Sequence, residues 1–108
     1  MSIITFTGKS ENQYHFELYA PNQYFKDNAG VYIFLRKELN NYRIIYIGQT
    51  ESFVDRLYKY FKNHTQYECI LRNKFTHVAL LPIHTGEEYR LKVETDLRHY
   101  YSTLCNEQ

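Results

Sequence analysis

Residues 30–48 read GVYIFLRKELNNYRIIYIG. Val31 to Leu35 and Ile44 to Ile47 are rich in β-branched and aromatic residues, which suit a half-buried pleated surface, and the intervening Lys37 to Asn41 (KELNN) has the polarity of a turn. Two antiparallel strands follow from this pattern. Tyr32 and Tyr46 are 14 positions apart, an even separation. A hairpin pairing Arg36 with Tyr42, Phe34 with Ile44 and Tyr32 with Tyr46 therefore puts both phenols on one face.

The chain around this hairpin has 108 residues, enough for one domain with its own core and too few for a catalytic module plus a separate binding module. It contains no apolar run of membrane-spanning length and no signal-peptide pattern, so the expectation is a soluble cytoplasmic protein with no membrane partner. A formal charge of +1 lacks the basic surplus of a strong phosphate binder, so any anion site must be local. Cys69 and Cys105 form no CxxC pair and two cysteines make no disulfide framework; they are expected reduced and buried. Twelve tyrosines against no tryptophan imply that most phenols fill half-buried positions, with some free to face a ligand.

Upstream of the hairpin, Ile3, Ile4 and Phe6 suggest one short strand. Tyr14, Phe16 and Leu18, alternating with His15, Glu17 and Tyr19, suggest a half-buried second one. Pro21 to Ala29 reads as a loop or a single helical turn. Downstream, Ser52 with Asp55 resembles an N-cap, and Phe53, Leu57 and Phe61 at spacings of four predict a helix from Phe53 to Lys62 with Arg56 and Tyr60 on one flank. A second short helix is expected over Thr65 to Lys74, with Tyr67, Ile70 and Leu71 inward. Thr76 to Ile83 reads as a strand that Pro82 ends or places at an edge. Thr85 with Glu88 forms a capping-box pattern for a helix to about Ser102, its apolar stripe being Tyr89, Val93, Leu97, Tyr100 and Leu104. The predicted fold is α+β: a small, largely antiparallel sheet with a catalytic hairpin, flanked by helices. Residues 1–29 are expected to form an N-terminal extension packed on the domain of residues 30–108.

Spacings outside the hairpin extend the motif. Arg56 follows Tyr46 by ten residues, Tyr60 follows Arg56 by four, and Asn106 follows Glu94 by twelve. Together with GVY and YIG, this set resembles the GIY-YIG nuclease family over about Gly30 to Asn106, with the repair-type members closest in motif. Val31 replaces the isoleucine of the first tripeptide. Gln49 stands where repair-type members carry a lysine, and Tyr60 stands where restriction-type members carry a histidine.

The resemblance implies a metal-dependent endonuclease that hydrolyses DNA phosphodiester bonds in repair or recombination, with one Mg²⁺ or Mn²⁺ as cofactor. It implies Tyr32, Tyr46, Arg56 and Glu94 as catalytic residues, Glu94 as the metal ligand, and Gly48, Gln49, Tyr60 and Asn106 in support. The chemistry suits these side chains. Attack on a phosphodiester develops negative charge on the non-bridging oxygens, and the planar, permanently charged guanidinium of Arg56 matches it. A single carboxylate, Glu94, suits a hard cation that keeps most of its ligands as water and substrate oxygens. A phenol titrates ordinarily near a pKa of about 10, so a tyrosine base needs a depressed pKa or help from nearby cations, and both tyrosines are candidates.

Each residue also has a structural reading. Arg56 could pair with Asp55, Glu94 with Arg90 and Arg98 four residues to either side, and both tyrosines could pack on the sheet. Gly48 could be a turn glycine, or it could admit a backbone or phosphate, and Asn106 could brace the site or fray. The five histidines show no zinc-ligand spacing; His64 follows Lys59 and Lys62 and could touch substrate backbone, but reads first as a solvated loop residue. The rival to the nuclease is a catalytically impaired GIY-YIG-like module binding nucleic acid or a partner protein. In either case specificity is expected from residues 1–29, from loops, from a homodimer or from a protein partner.

Overall fold

A computed structural model describes residues 2–106, so the last two positions of the expected 30–108 domain lie outside the described residues. Strands β1 (Ser2–Thr7), β2 (Gln13–Tyr19), β3 (Gly30–Glu38), β4 (Asn41–Thr50) and β5 (His77–Pro82) form one sheet in the order β1-β2-β5-β3-β4, with every neighbouring pair antiparallel. Helices α1 (Tyr67–Arg72) and α2 (Glu87–Tyr100) complete an α+β fold with a curled sheet. No helix among the described residues is long and apolar enough to cross a membrane.

The β3–β4 hairpin forms, with a different register from the one its polar stretch suggested. Glu38 faces Asn41, so the turn is only Leu39 and Asn40, and the pairs Lys37–Tyr42, Arg36–Arg43 and Leu35–Ile44 follow. Extended inward, that register would put Tyr32 and Tyr46 on opposite faces. A bulge at Ile45 prevents this: beyond it the pairs are Phe34–Tyr46, Ile33–Ile47 and Tyr32–Gly48. The expected Tyr32–Tyr46, Phe34–Ile44 and Arg36–Tyr42 pairs do not form. One extra residue in one strand undoes the flip, and the tyrosines share a face as diagonal neighbours.

The first two strands belong to the same sheet, β2 pairing with β5. β5 lies between β2 and β3, so Pro82 ends a central strand and does not mark an edge. After Ser52 the chain makes a helical turn that widens over Asp55–Lys59 into a π-type turn, where the Tyr60 N–H reaches the Asp55 carbonyl at 2.8 Å. The regular helix expected to Lys62 therefore ends at Lys59, and a tight 3₁₀ turn, Phe61–Asn63, follows. This break seats Phe61 against Phe34, ring centroids 5.4 Å apart. Ser52 does cap the turn, accepting the Asp55 N–H at 3.0 Å.

α1 buries Ile70 but leaves Leu71 exposed, contrary to expectation, because a single six-residue helix has one inward position at its centre. α2 starts at Glu87 after Gly86, whose φ of +117° favours glycine, and no Thr85–Glu88 capping box forms. Its buried face is Arg90, Val93 and Leu97; Tyr89, Tyr100 and Leu104 are exposed. The predicted stripe was rotated by about one position, since Val93 and Leu97 belong equally to two adjacent helical rows. The sheet chose the row that continues to Tyr101, whose ring meets Phe6 edge-on and whose hydroxyl accepts the Thr7 N–H at 3.0 Å.

Alternation along β3 divides the core. Val31, Ile33 and Leu35 join Phe6, Phe16, Val93 and Leu97 beneath α2. Tyr32 and Phe34 point the other way, joining Phe53, Ile70, Val78 and Leu80 beneath the short helical segments.

Candidate active site

Gly48 faces Tyr32 across the hairpin. A Cβ at Gly48 would lie 2.6 Å from Tyr32 Cζ and 2.7 Å from Tyr46 Cε2, so the missing side chain is what admits the two rings. What approaches closely here is phenol. The rings stack with centroids 6.0 Å apart and an interplanar angle of 30°. Tyr32 is buried, and Tyr46 is half-buried.

His64, expected to be a solvated loop residue, is only 4% exposed and lies between the phenols and Phe61. Its Nδ1 accepts the Gln66 N–H at 3.0 Å, so in the neutral ring the proton sits on Nε2. Nε2 lies 2.8 Å from the Tyr32 hydroxyl, and this tautomer makes His64 the donor and Tyr32 Oη the acceptor. Burial, with Arg56 adding to it, holds the imidazole pKa down to about 4, so the ring is neutral at ordinary pH. Tyr32 then has its own proton to give. The stacked Tyr46 phenol raises the Tyr32 pKa in turn.

Charged groups from two other elements act on this pair. Burial raises the Tyr46 pKa, and the Glu94 carboxylate raises it further; Arg98, then Arg56, pull it down. Tyr32 is raised by burial first and by Tyr46 next, with Arg56 opposing. Both phenols are therefore protonated at neutral pH in the protein alone, and Tyr46 is the one nearer to ionisation because more cationic and hydrogen-bonding help converges on it. Burial raises the Glu94 carboxyl as well, and Arg98 partly offsets this. Arg56 and Glu94 thus each act electrostatically on both phenols.

Among the described residues no side chain hydrogen-bonds to the half-buried Glu94 carboxylate, and no buried side-chain oxygen or nitrogen lacks a partner, so its oxygens face water. No group of three or more His, Cys, Asp or Glu side chains that could hold a metal occurs among the described residues. A lone, half-buried, unpaired carboxylate does fit a hard divalent ion that takes its other ligands from water and substrate.

The supporting residues separate. Asn106 braces the hairpin: its Oδ1 accepts the Ile47 N–H at 2.8 Å and its Nδ2 donates to the Ile47 carbonyl at 2.9 Å, acting as an amide partner for the outer edge of β4. The tail is held further by a Cys69–Cys105 disulfide, where two reduced cysteines were expected, and by the Cys105 N–H on the Ile45 carbonyl at 2.8 Å. A 36-residue separation hid a pair whose Cα atoms lie 5.8 Å apart. Tyr60 is 55% exposed and shares a cleft with Arg56, away from the phenols. Gln49 accepts Arg90 Nε at 2.9 Å. The alternative Arg90–Glu94 helix pair does not form, because Arg90 turns to Gln49 on β4.

His64, Arg90 and Arg98 are the residues the sequence reading missed. Arg90 and Arg98 had a signal: one helical turn to either side of Glu94, they project on its flank of α2. His64 had none, since its place depends on the break at Tyr60. Comparison with known proteins finds no matching family model, no matching curated protein and no matching solved structure.

Proposed function

We propose that this protein is a metal-dependent endonuclease acting on DNA phosphodiester bonds. The observation that carries the reading is Glu94: a half-buried carboxylate with no hydrogen-bonding partner among the described residues, acting electrostatically on two stacked phenols that Arg56 also reaches. The spacing of GVY, YIG, Arg56, Glu94 and Asn106 supports the same reading.

In this reading Glu94 holds one Mg²⁺ or Mn²⁺, which when bound supplies Lewis-acid polarisation of phosphate and water oxygens. Arg56 binds the phosphate being attacked and stabilises the charge that develops on it. Tyr46, after releasing its own proton to solvent under the pull of Arg98 and Arg56, takes as a phenolate the proton of the attacking water. Tyr32, kept protonated by burial and oriented by His64 Nε2–H, stacks beside Tyr46 as a neutral phenol. Asn106 and Gly48 hold the hairpin in the shape that brings the phenols together. A cytoplasmic setting belongs to the same reading, and it implies that Cys69–Cys105 exchanges with the cellular thiol pool.

Folded Arg56→Ala and Glu94→Gln should each lose Mg²⁺- or Mn²⁺-dependent cleavage of plasmid and branched DNA, and wild-type-like cleavage by Glu94→Gln would sink the proposal. The raised pKa of both phenols favours, as a second reading, a module that holds nucleic acid or a partner protein without turnover. Binding without cleavage across duplex, flapped and single-stranded DNA and RNA would select it.

A further inference from the structure

Arg90 is the one Lys or Arg side chain among the described residues that is buried, at 5% exposure. A buried guanidinium normally has a carboxylate partner, because desolvating an unpaired charge costs several kcal/mol. Here no carboxylate among the described residues lies within ion-pair distance of it, and its single bond is from Nε to the neutral amide of Gln49. Glu87 and Glu94, one turn away in either direction, leave it alone. The two terminal nitrogens make no bond within the protein, yet no buried side-chain nitrogen is without a partner, so both open to solvent. They open into a cleft of about 530 Å³ that Arg90 lines together with Gln49 and Arg56.

We propose that this cleft binds a second phosphate of the nucleic-acid strand, next to the one under attack, with Arg90 as its receptor. The Gln49 amide fixes Nε and so turns the paired terminal N–H groups outward, the edge of the fork that recognises two phosphate oxygens at once. Glu51, Asp55 and Glu87 also border the cleft, but all three are exposed. Water and salt screen those carboxylates, whereas the Arg90 charge acts from a desolvated position where it is felt more strongly. Arg56 borders both this cleft and the phenol pair, so one strand can span from the reacting phosphate to Arg90. The ligand class rests on the nuclease reading, while the anion-binding property does not.

The test has two arms. Inorganic phosphate titrated into the wild-type protein at neutral pH, followed by the Arg90 Nε–Hε NMR signal, should give a saturable shift. Fluorescence anisotropy with a short DNA duplex in EDTA, where no turnover occurs, should show Arg90→Gln binding about tenfold more weakly, with a salt slope smaller by about one and Arg90→Lys between the two. No saturable phosphate shift would overturn the subsite, and it needs no variant to fold; unchanged duplex affinity and salt slope in folded Arg90→Gln would overturn its assignment to the strand. Saturable phosphate binding by a protein that neither binds nor cuts nucleic acid would leave the subsite standing and remove the nuclease reading. Cleavage without any phosphate response at Arg90 would do the reverse.

Discussion

The two faces of β3 carry neighbouring residues of one strand and have opposite characters. Val31, Ile33 and Leu35 meet Val93 and Leu97 in an apolar layer where shape and area are the whole interaction. Tyr32 and Phe34 meet His64, Phe61 and Tyr46 in a layer just as aromatic as it is apolar, threaded by hydrogen bonds that begin at the Gln66 N–H and run through His64 to Tyr32. The first face tolerates substitution in proportion to volume. The second is constrained at each polar atom, because a donor left unpaired there costs its full desolvation penalty. A strand can thus build an apolar layer and a polar-threaded one side by side, provided the polar groups are held by contacts that the apolar layer does not need.

The sharpest break in this comparison uses two residues of α2. Glu94→Gln should lower cleavage by roughly 10³-fold or more while leaving the unfolding midpoint close to wild type. Leu97→Ala, three residues on, should cost roughly 2–5 kcal/mol of stability and leave the rate per folded molecule unchanged. Denaturant titration beside a cleavage assay separates the two, and loss of activity in proportion to stability for both would erase the distinction between the faces.

Next in size is the disulfide, which belongs to the Tyr32 face. It closes a loop of sequence separation 36, so reduction or Cys69→Ser should cost roughly 3–4 kcal/mol, read from the urea midpoint with and without reductant. An unchanged midpoint would mean that the β4 contacts of Asn106 and Cys105 hold the tail unaided.

His64 gives the Tyr32 face a pH dependence the apolar face lacks. Its pKa is about 4 in the folded chain and ordinarily near 6.5, so between those values the unfolded chain binds a proton that the folded one refuses. Stability should therefore fall as pH drops from about 6.5 toward 4, by an amount on the order of 3 kcal/mol. His64→Gln should flatten that limb. A limb of the same size in His64→Gln would assign it elsewhere.

The smallest expected effect is that of Gly48→Ala, roughly 1–3 kcal/mol of overpacking as a methyl group meets both rings. Tyrosine fluorescence or near-UV dichroism should report the displaced phenols, and an unchanged spectrum would show that the rings do not need the gap.

Much of the fold could be read before the structure. Period-two runs marked the strands, and the even spacing of Tyr32 and Tyr46 put the phenols on one face. That conclusion survived a wrong register only because the bulge at Ile45 compensates the two-residue turn. The helix after Ser52 was over-read, since spacings of four are equally compatible with a helix that widens and breaks at Tyr60. The stripe of α2 was placed a row away from its true one because Val93 and Leu97 fit both.

What the sequence determined by itself was local: which segments pair as strands, which residues alternate inward, and the spacing of Tyr32, Tyr46, Arg56, Glu94 and Asn106 along the chain. What only the tertiary structure decided was adjacency between distant segments. Cys69 against Cys105, Arg90 against Gln49, Asn106 against Ile47 and His64 against Tyr32 are each separated by more than 30 residues. No periodicity encodes such pairs, because they arise where separately formed elements pack, and packing depends on the turn and the bulge that set how those elements meet.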